Sequence, residues 1–404
     1  MGVQRSQVLT TDSQHETRFP DCDVVVVGAG PAGLLAARGL AAGGHRVIVL
    51  EEHDRIGAPV HCTGVLGLDA FDELRLSRRS VVGMAHSARF IAPNGTSIVV
   101  DDPRVRAAVV DREQFDRDLA DSAIDAGATM RAGERVSSVE QTPDAVVITT
   151  AGGRVTARAA VLACGASYRF NRALGFGVPR VLVHSAQLEV PFPAVEHVQV
   201  QFGRKIAPGG FAWIVPFSRN GASFARIGLL CEQDAGSAFR AFAAAVRSEY
   251  GISGDWAEPR LKALPLAPVE RTWTDRIVAV GDAAGLVKPT TGGGIYYGLL
   301  TGHLAAEVLG DALQSDRLQG RSLKEYERRW RARLGPEIRA GLAFRAFAAR
   351  MNDVAIDRVV ELSRVDGIVP LLRQTADFNW HSAAARALLR HAEFRKIVMG
   401  TIWS

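Results

Sequence analysis

The sequence contains few cysteines, and none of them belongs to a recognisable paired motif. The four cysteines are scattered through 404 residues and never occur as CxxC: Cys22, Cys62, Cys164 and Cys231. Zinc sites, iron–sulfur clusters and disulfide frameworks all need closely or regularly spaced cysteines. The scarcity therefore excludes those sites, predicts that no metal is bound, and is typical of a protein of the reducing cytosol.

Long apolar runs and a strong charge are missing as well. No stretch of about 18 uncharged apolar residues occurs, so no transmembrane helix is predicted. Residues 1–20 are polar and lack the apolar core of a secretory signal, so we interpret them as a flexible tail. The net charge of +5 is mild, and no nucleic-acid-binding motif is present. We predict a cytoplasmic protein that binds no nucleic acid, with peripheral contact to an anionic membrane left open.

The stretch from Asp23 to Gly33, DVVVVGAGPAG, carries the first clear signal of function. Its four valines predict a strand that is buried on both faces of a parallel sheet. The three glycines allow a tight turn, close approach of a pyrophosphate, and tight packing of the helix predicted over Leu34–Ala42. Glu51 ends a second predicted strand at the spacing of a carboxylate that binds ribose. The stretch therefore predicts a dinucleotide site.

A second glycine-rich turn begins where a predicted strand, Ile277–Val280, ends. Asp282 at this strand end can accept hydrogen bonds from ribityl hydroxyls. The triple glycine 292–294 is predicted to open a helix whose N–H groups face the negative charge of a reduced flavin. Because the two turns supply complementary halves of one cradle, together they predict FAD rather than NAD.

Between the two turns, the pattern changes to longer strands, with one predicted helix near 237–250 and a hairpin over 88–100. We predict an α/β fold: a Rossmann-like FAD-binding domain, an inserted antiparallel-sheet substrate domain and a C-terminal helical region. The predicted parts are the tail (1–20), the discontinuous FAD-binding domain (21–85, 105–170 and 263–310), the substrate domain (86–104 and 171–262) and the helical region (311–404).

Taken jointly, these motifs resemble the geranylgeranyl reductase family of FAD-dependent oxidoreductases, which have the hydroxylase-type glutathione-reductase fold. The matching stretches are GAGPAG (28–33), PVHCTG (59–64), DREQFD (111–116), PGGFAWIVP (208–216), GDAAGLVKPTTGGGIYY (281–297) and ADFNWH (376–381). The resemblance implies FAD, with Arg112 near its pyrophosphate, Val136 near its adenine through the backbone and Asp282 on its ribityl chain. It also implies reduction of isoprenoid C=C bonds.

The predicted cofactor-binding residues come from both turns, the loops beside them and the residues implied by the resemblance. They are Gly28, Gly30, Pro31, Ala32, Gly33, Glu51, Glu52, Arg55, Cys62, Thr63, Arg112, Val136, Cys164, Gly165, Gly281, Asp282, Gly292, Gly293, Gly294 and Ile295.

Reduction of an isolated alkene requires that the bond be held in a dry site, with a hydride delivered to one carbon and a proton to the other. Cys62 is the main candidate proton donor, because it lies in a loop predicted to cover the flavin. Tyr296 and Tyr297 are alternative donors. The competing interpretation of Cys62 is a small buried hydrophobe.

The predicted substrate-lining residues are Phe211, Trp213 and Pro216, with Phe217 beside them; ordinary core packing is the competing interpretation of the aromatic ones. Two departures from the family pattern are the loss of an aromatic hydroxyl at Phe211 and of an aromatic at Val215. Related hydroxylases use an Asp-Gly pair with NAD(P)H where this chain has Cys164-Gly165. The electron donor is therefore left open between NAD(P)H and ferredoxin.

Three alternatives compete with alkene reduction. PGGFAWIVP also resembles a motif of flavin-dependent halogenases, but those enzymes need a lysine after the first turn, and no lysine precedes Lys205. An aromatic hydroxylase and an electron-transfer flavoprotein are the other two. The basic stretch 321–350 could meet anionic lipid or a substrate diphosphate, or could be a solvated helical face.

Overall fold

The structure is a computed structural model that describes residues 20–101, 107–365, 369–370 and 377–396. The predicted flexible tail, apart from Pro20, lies outside the described residues. Ala376 of the ADFNWH motif also lies outside them, whereas the rest of that motif is described.

The central strands of the first sheet run parallel and are buried, as the valine run predicts. Its central strands are β1 (Cys22–Val27), β2 (Val47–Leu50) and β11 (Gly153–Leu162); β1 pairs in parallel with both of the others. The three valines Val24–Val26 are fully buried, because α1 (Pro31–Ala42) covers one face of the sheet. The strand order is β17–β18–β11–β1–β2–β8, and a hairpin of β9 and β10 extends β11. The remaining strands of this sheet are β8 (Thr129–Arg131), β9 (Val136–Gln141), β10 (Val146–Thr150), β17 (Trp273–Thr274) and β18 (Ile277–Ala279).

The second sheet has seven strands in the order β16–β12–β15–β14–β13–β5–β6. Residues 87–101 and 182–265 supply them: β5 (Ser87–Ile91), β6 (Ser97–Asp101), β12 (Leu182–Pro191), β13 (Val198–Gln201), β14 (Phe211–Arg219), β15 (Ala222–Cys231) and β16 (Arg260–Pro265). The predicted 88–100 hairpin is confirmed as β5 and β6. The sheet is antiparallel except for the pair β5 and β13, which belong to separate segments and so are not constrained by a hairpin.

A small third sheet joins the other two. Its strands are β3 (Val65–Gly67), β4 (Val81–Ala85) and β7 (Ala107–Val110), in the order β3–β7–β4. Val109 of this sheet packs with Val215 and Phe217 of β14, so the nucleotide-binding part and the seven-stranded sheet share an apolar contact.

The remaining helices of the described residues are α2 (Asp69–Glu73), α3 (Arg112–Asp125), α4 (Ala235–Glu249), α5 (Ile295–Gln314), α6 (Gly320–Ala348), α7 (Asp353–Val365) and α8 (Ser382–Arg390). The predicted cap of α3 is confirmed, because Asp111 accepts from the Gln114 N–H at 3.2 Å. The prediction that a helix starts at Gly292 is wrong: α5 starts at Ile295, since Gly292 has a left-handed φ of +71° that a helix cannot contain.

Candidate functional site

The first glycine turn follows β1 and leads into α1. Gly28 has a φ of +106°, and a Cβ at Gly28 would lie 2.5 Å from the Ala163 carbonyl oxygen. A Cβ at Gly33 would lie 2.2 Å from the Gly28 carbonyl oxygen, so only glycine lets α1 approach the strand this closely. Gly30 faces open space, and α1 begins with Pro31 and no side-chain cap. The free N–H groups at this helix end suit a pyrophosphate.

Glu51 places its carboxylate against the first turn. Its Oε2 accepts from the Ala29 N–H at 2.8 Å, and its Oε1 accepts from the His53 N–H at 3.1 Å. The Glu51 side chain keeps 14% of its surface exposed, so it can accept a further hydrogen bond from a ligand. A carboxylate fixed here has the position and the chemistry to bind a ribose hydroxyl.

The second glycine turn lies directly against the first. A Cβ at Gly281 would lie 3.1 Å from the Ala32 Cβ, and a Cβ at Gly302 would lie 2.2 Å from the Ala32 carbonyl oxygen. The Asp282 carboxylate lies against Gly294, the residue before α5. It fits there because Gly294 has no side chain: a Cβ at Gly294 would lie 2.7 Å from the Asp282 Oδ1. These glycines let the second turn and α5 pack closely on α1, and the Asp282 carboxylate beside them can accept from ribityl hydroxyls of FAD.

Cys62 lies between two cations. Its sulfur accepts from the Gly64 N–H at 3.4 Å, and both Arg112 and Lys262 interact with it. The Lys262 Nζ also donates to the Asp282 Oδ2 at 2.9 Å. Asp282 raises the pKa of Lys262 more than burial lowers it, so this lysine carries a positive charge beside the second turn. Cys62 is therefore connected through Lys262 to the second turn.

Arg112 is a half-buried, charged group at the start of α3. Its Nε donates to Asp116 at 3.0 Å and its Nη2 at 2.7 Å. Burial opposes the charge, but Asp116 and then Cys62 raise the pKa of Arg112. The guanidinium therefore stays protonated within reach of Cys62.

Sequence reasoning missed Arg226 and Lys262. Arg226 is 1% exposed; its Nη1 donates to the carbonyl oxygens of Thr63 and Val110 at 2.6 and 2.8 Å, and its Nε donates to Glu189 at 3.0 Å. It fastens the Cys62 loop to β15. The side chain of Thr63 donates to Gln187 at 2.6 Å, which adds a second tie to the seven-stranded sheet. No local pattern marks these residues, because only tertiary packing brings their strands to the loop.

Several predicted cofactor residues have their polar groups engaged by the protein. Glu52 pairs with Arg135 at 3.1 Å, and Arg55 pairs with Glu113 at 3.0 Å. The Val136 carbonyl oxygen accepts from Arg169. Burial raises the pKa of Cys164 to about 11, so its thiol is uncharged. Gly165, with a φ of +62°, faces open space.

Phe211 and Trp213 form an apolar cluster beside the second turn. Their ring centroids lie 5.8 Å apart, and they pack with Leu230, Leu264 and Val287. Val287 belongs to the loop between Asp282 and the triple glycine, and a Cβ at Gly292 would lie 3.1 Å from Leu264. The cluster therefore joins the middle of the seven-stranded sheet to the flavin cradle.

Pro216 does not share a face with these two residues. Side chains alternate along a strand, and β14 is unbroken in its pairing with β15. Pro216 therefore has the orientation of Ile214, which packs against α4 on the far face, whereas Phe217 lies on the near face with Val109. The structure does not bring Pro216 together with Phe211 and Trp213.

The two candidate tyrosines are buried in helix packing. The Tyr296 hydroxyl donates to Glu73 at 2.7 Å, and its ring packs on Trp380 with centroids 5.7 Å apart. The Tyr297 ring packs on the same tryptophan at 6.5 Å. Burial raises the pKa of both tyrosines. These contacts match the core-packing interpretation, and Cys62 is the predicted proton donor whose surroundings suit that role.

A C-terminal segment covers the second turn. The Lys288 Nζ donates to the Phe378 carbonyl oxygen at 2.8 Å, and the Thr290 hydroxyl lies 2.6 Å from the His381 Nδ1. The His381 Nε2 lies 3.0 Å from the Phe378 carbonyl oxygen. In the neutral imidazole, Nε2 donates to the Phe378 carbonyl oxygen and Nδ1 accepts from the Thr290 hydroxyl. Burial lowers the pKa of Lys288 to about 8.

The neutral state of His381 makes this cover sensitive to acid. Burial, and then Lys288, lower the pKa of His381 from 6.5 to about 4, so the folded state binds its proton more weakly than the unfolded chain. Stability is therefore lost as the pH falls from 6.5 towards 4, by on the order of 2 kcal/mol from this group. We expect His381→Asn to lose stability less steeply than the wild type between pH 7 and 5 in urea unfolding. Equal pH slopes for the two proteins would contradict this.

Four of the arginines in the basic stretch 321–350 form ion pairs along α6. Arg328 and Arg329 pair with Glu325, Arg331 pairs with Glu327, and Arg333 pairs with Glu73. These pairs engage only part of the stretch, which keeps an excess of basic over acidic residues.

Within the described ranges, histidine, cysteine and acidic side chains do not gather in threes as a metal site requires. No helix in the same residues has both the length and the apolar character to cross a membrane. All four cysteines are free.

Comparison with known proteins connects this geometry to a family. The profile of the lycopene cyclase protein family matches residues 23–197. A digeranylgeranylglycerophospholipid reductase of Methanocaldococcus jannaschii is 30% identical over 370 residues, which cover 86% of this chain and 92% of that protein. The digeranylgeranylglycerophospholipid reductase 2 of Methanothermobacter thermautotrophicus is 32% identical over 389 residues, covering 88% of this chain and 96% of that protein.

Solved structures share the fold. A geranylgeranyl bacteriochlorophyll reductase-like protein from Thermoplasma acidophilum superimposes with a TM-score of 0.81 at 21% identity, covering 94% of this chain and 99% of that chain. The halogenase PltM in complex with phloroglucinol and FAD gives a TM-score of 0.67 at 18% identity, with 94% and 85% covered.

The fold is that of the solved reductase-like and halogenase structures, and the paired glycine turns have the geometry that a dinucleotide cofactor requires. The identity of 30% and 32% with two reductases, over 92% and 96% of their lengths, identifies the family. This chain belongs to the geranylgeranyl reductase family.

Proposed function

We propose that this chain saturates C=C bonds of a geranylgeranyl-type chain carried on a diphosphate, a lipid or a quinone. The position of Cys62 supports the proposal most: Arg112 and Lys262 lie near its sulfur, and Lys262 also binds Asp282 of the second turn. The digeranylgeranyl lipid in the names of the relatives supports the same class of substrate.

Bound FAD supplies the hydride that one alkene carbon receives. The Phe211–Trp213 cluster holds the apolar chain against the cradle and keeps water away from the reacting bond. The Cys62 thiol gives its proton to the other alkene carbon. Arg112 and Lys262 stabilise the thiolate that remains, and a proton from solvent then restores the thiol.

The anaerobic half-reaction tests this function. The bound flavin is reduced with dithionite, geranylgeranyl diphosphate is added, and the products are followed by mass spectrometry. We expect flavin reoxidation together with a mass gain of two hydrogen atoms for each bond reduced, and no gain with enzyme kept oxidised. Failure to reduce geranylgeranyl diphosphate, a geranylgeranylated glycerolipid and a prenyl quinone would overturn the proposal.

Trp213 gives a prediction about substrate binding. Truncation of Trp213 to alanine removes a large apolar surface from the cluster beside the cradle, so we expect the KM for geranylgeranyl diphosphate to rise about tenfold, roughly 1.4 kcal/mol. Trp256→Ala is the matched control, because Trp256 packs on the α4 face of the sheet. An equal change in KM for both variants would show that the effect is a general loss of packing.

We further propose that the electron donor is NAD(P)H or a ferredoxin and that the enzyme works in the cytoplasm, touching the membrane that holds a lipid substrate. The free cysteines are consistent with a reducing compartment.

Anaerobic stopped-flow mixing with NADPH, NADH and reduced ferredoxin distinguishes the donors by the rate of flavin bleaching. Flotation with anionic vesicles tests the membrane contact.

A further inference from the structure

A polar cavity of about 760 Å³ lies between the loop that precedes Cys62 and the seven-stranded sheet. Its walls are residues 53–55 and 58–60 of that loop, residues 111–113 at the start of α3, and parts of β12, β14, β15 and β16. This volume is within the range of small-molecule sites. The lining includes five arginines: Arg55, Arg112, Arg219, Arg226 and Arg260.

The four acidic residues of the lining, Asp54, Asp111, Glu113 and Glu189, do not occupy all of these guanidinium groups. Arg219 pairs with Glu189 at 2.6 Å and with Asp111 at 3.2 Å, but its buried Nε has no hydrogen-bond partner. Arg226 and Arg55 pair with Glu189 and Glu113. In the part of the chain that the structure describes, no ion pair joins Arg260 to an acid. The cavity therefore retains donors for an anionic ligand.

Basic groups lie near His61 at the edge of the cavity. His61 follows Val60 of the lining; burial lowers its pKa, and so do Lys262, Arg260, His53 and Arg112 in that order. Each of these four groups is basic. Protonation of His61 is therefore disfavoured. A phosphate is favoured, because guanidinium groups match its geometry.

Arg112 connects this cavity to the candidate catalytic cysteine. Arg112 lines it and also interacts with the Cys62 sulfur. A prenyl chain does not suit a wall of arginines and carboxylates, whereas the Phe211–Trp213 cluster offers that chain an apolar surface. The occupant that fits is the charged part of a molecule whose other part reacts near Cys62.

We propose that this cavity binds the phosphate or diphosphate group of one of the enzyme's reactants, with Arg260 and Arg219 as its ligands. Arg112 of the lining is also the residue predicted near the FAD pyrophosphate, so the site is tested in the FAD-loaded enzyme, where that group is already bound. Two other sources share this chemistry: the head of the prenyl substrate and the diphosphate of a nicotinamide donor. The choice between them rests on the proposed function, whereas the existence of the site does not.

The first experiment measures binding without turnover. Inorganic pyrophosphate is titrated into the FAD-loaded enzyme by calorimetry, for the wild type, Arg260→Gln and Arg240→Gln. Arg240 is the matched control, an exposed arginine on α4 with a 3.5 Å ion pair to Glu258. We expect Arg260→Gln to weaken binding about tenfold, as loss of a charge-assisted hydrogen bond does, and the control to match the wild type. No binding to the wild type, or equal binding to all three, would overturn the site.

The second experiment identifies the source. The KM for NADPH is measured in flavin reduction, and the KM for geranylgeranyl diphosphate in reoxidation of dithionite-reduced enzyme. We expect one of these two constants to rise about tenfold in Arg260→Gln while the other stays within about twofold. If neither moves, the assignment to a reactant is wrong. Failure of the proposed function has a different signature: pyrophosphate binding still depends on Arg260, but no prenyl product gains mass.

Discussion

Replacing Cys62 with alanine is expected to slow reoxidation of the reduced flavin by a prenyl substrate about a hundredfold or more, the typical effect of losing a positioned general acid. FAD should remain bound, because the glycine turns and Glu51 hold the cofactor without the cysteine side chain. Stopped-flow absorbance of the anaerobic, dithionite-reduced enzyme measures this rate directly.

Cys231→Ala is the matched control for this variant. Cys231 is a fully buried cysteine on β15 whose thiol donates to the Gln233 carbonyl oxygen at 3.0 Å. Its loss should reduce stability and leave the reoxidation rate nearly unchanged. Cys62→Ser should fall between wild type and alanine, because a hydroxyl donates a proton less readily than a thiol. Wild-type rates in both Cys62 variants would show that Cys62 is an ordinary packed residue and not the proton donor.

Replacement of Gly33 with valine is expected to abolish FAD binding. Even a Cβ at this position would lie 2.2 Å from the Gly28 carbonyl oxygen and 2.9 Å from the Ala163 Cβ, so α1 must move away from the sheet. The N–H groups that meet the pyrophosphate move with it. We expect FAD affinity to fall by about a thousandfold, roughly 4 kcal/mol, measured by the flavin content of the purified protein and by titration with FAD.

Gly30→Ala separates loss of cofactor from loss of fold. A Cβ at Gly30 meets no atom within 4 Å, so the empty protein should keep its unfolding midpoint. The added methyl group would occupy the space that the pyrophosphate needs, and FAD binding should weaken. Full FAD content in both glycine variants would contradict the assignment of this turn.

The cofactor half of the site was predictable because its signal is local. The two turns need glycine at fixed offsets, and the strand and helix on either side are readable from neighbouring residues. Gly28 and Gly33 show the close approaches that this motif demands. The prediction that FAD binds here therefore needed no knowledge of tertiary packing.

The other half was not predictable, since its residues come from distant strands. Lys262 reaches Asp282 from β16, and Arg226 reaches Thr63 from β15. Nothing in the neighbourhood of either residue distinguishes it from a surface cation. The surroundings of the tyrosine pair were not predictable for a related reason: the sequence shows that Tyr296 lies on a helix, but not that Glu73 binds its hydroxyl and Trp380 packs on its ring.

Pro216 illustrates a third limit. Its motif is continuous in sequence, and the resemblance assigned it to the substrate along with Phe211 and Trp213. A strand sends adjacent residues to opposite faces, so a contiguous motif on β14 cannot line one surface. Alternation along the strand, applied to this motif, would have removed Pro216 and retained Phe217.

The attachment of Arg226 sets a rule for anyone who builds chimaeras from this family. Its guanidinium binds the backbone of residues 63 and 110 and the side chain of Glu189, so three chain segments depend on one buried cation. A graft that exchanges the seven-stranded sheet, to alter the choice of prenyl chain, must keep an arginine at position 226 and an acid at position 189. Without that arginine, the backbone carbonyls of residues 63 and 110 would lose their buried donor.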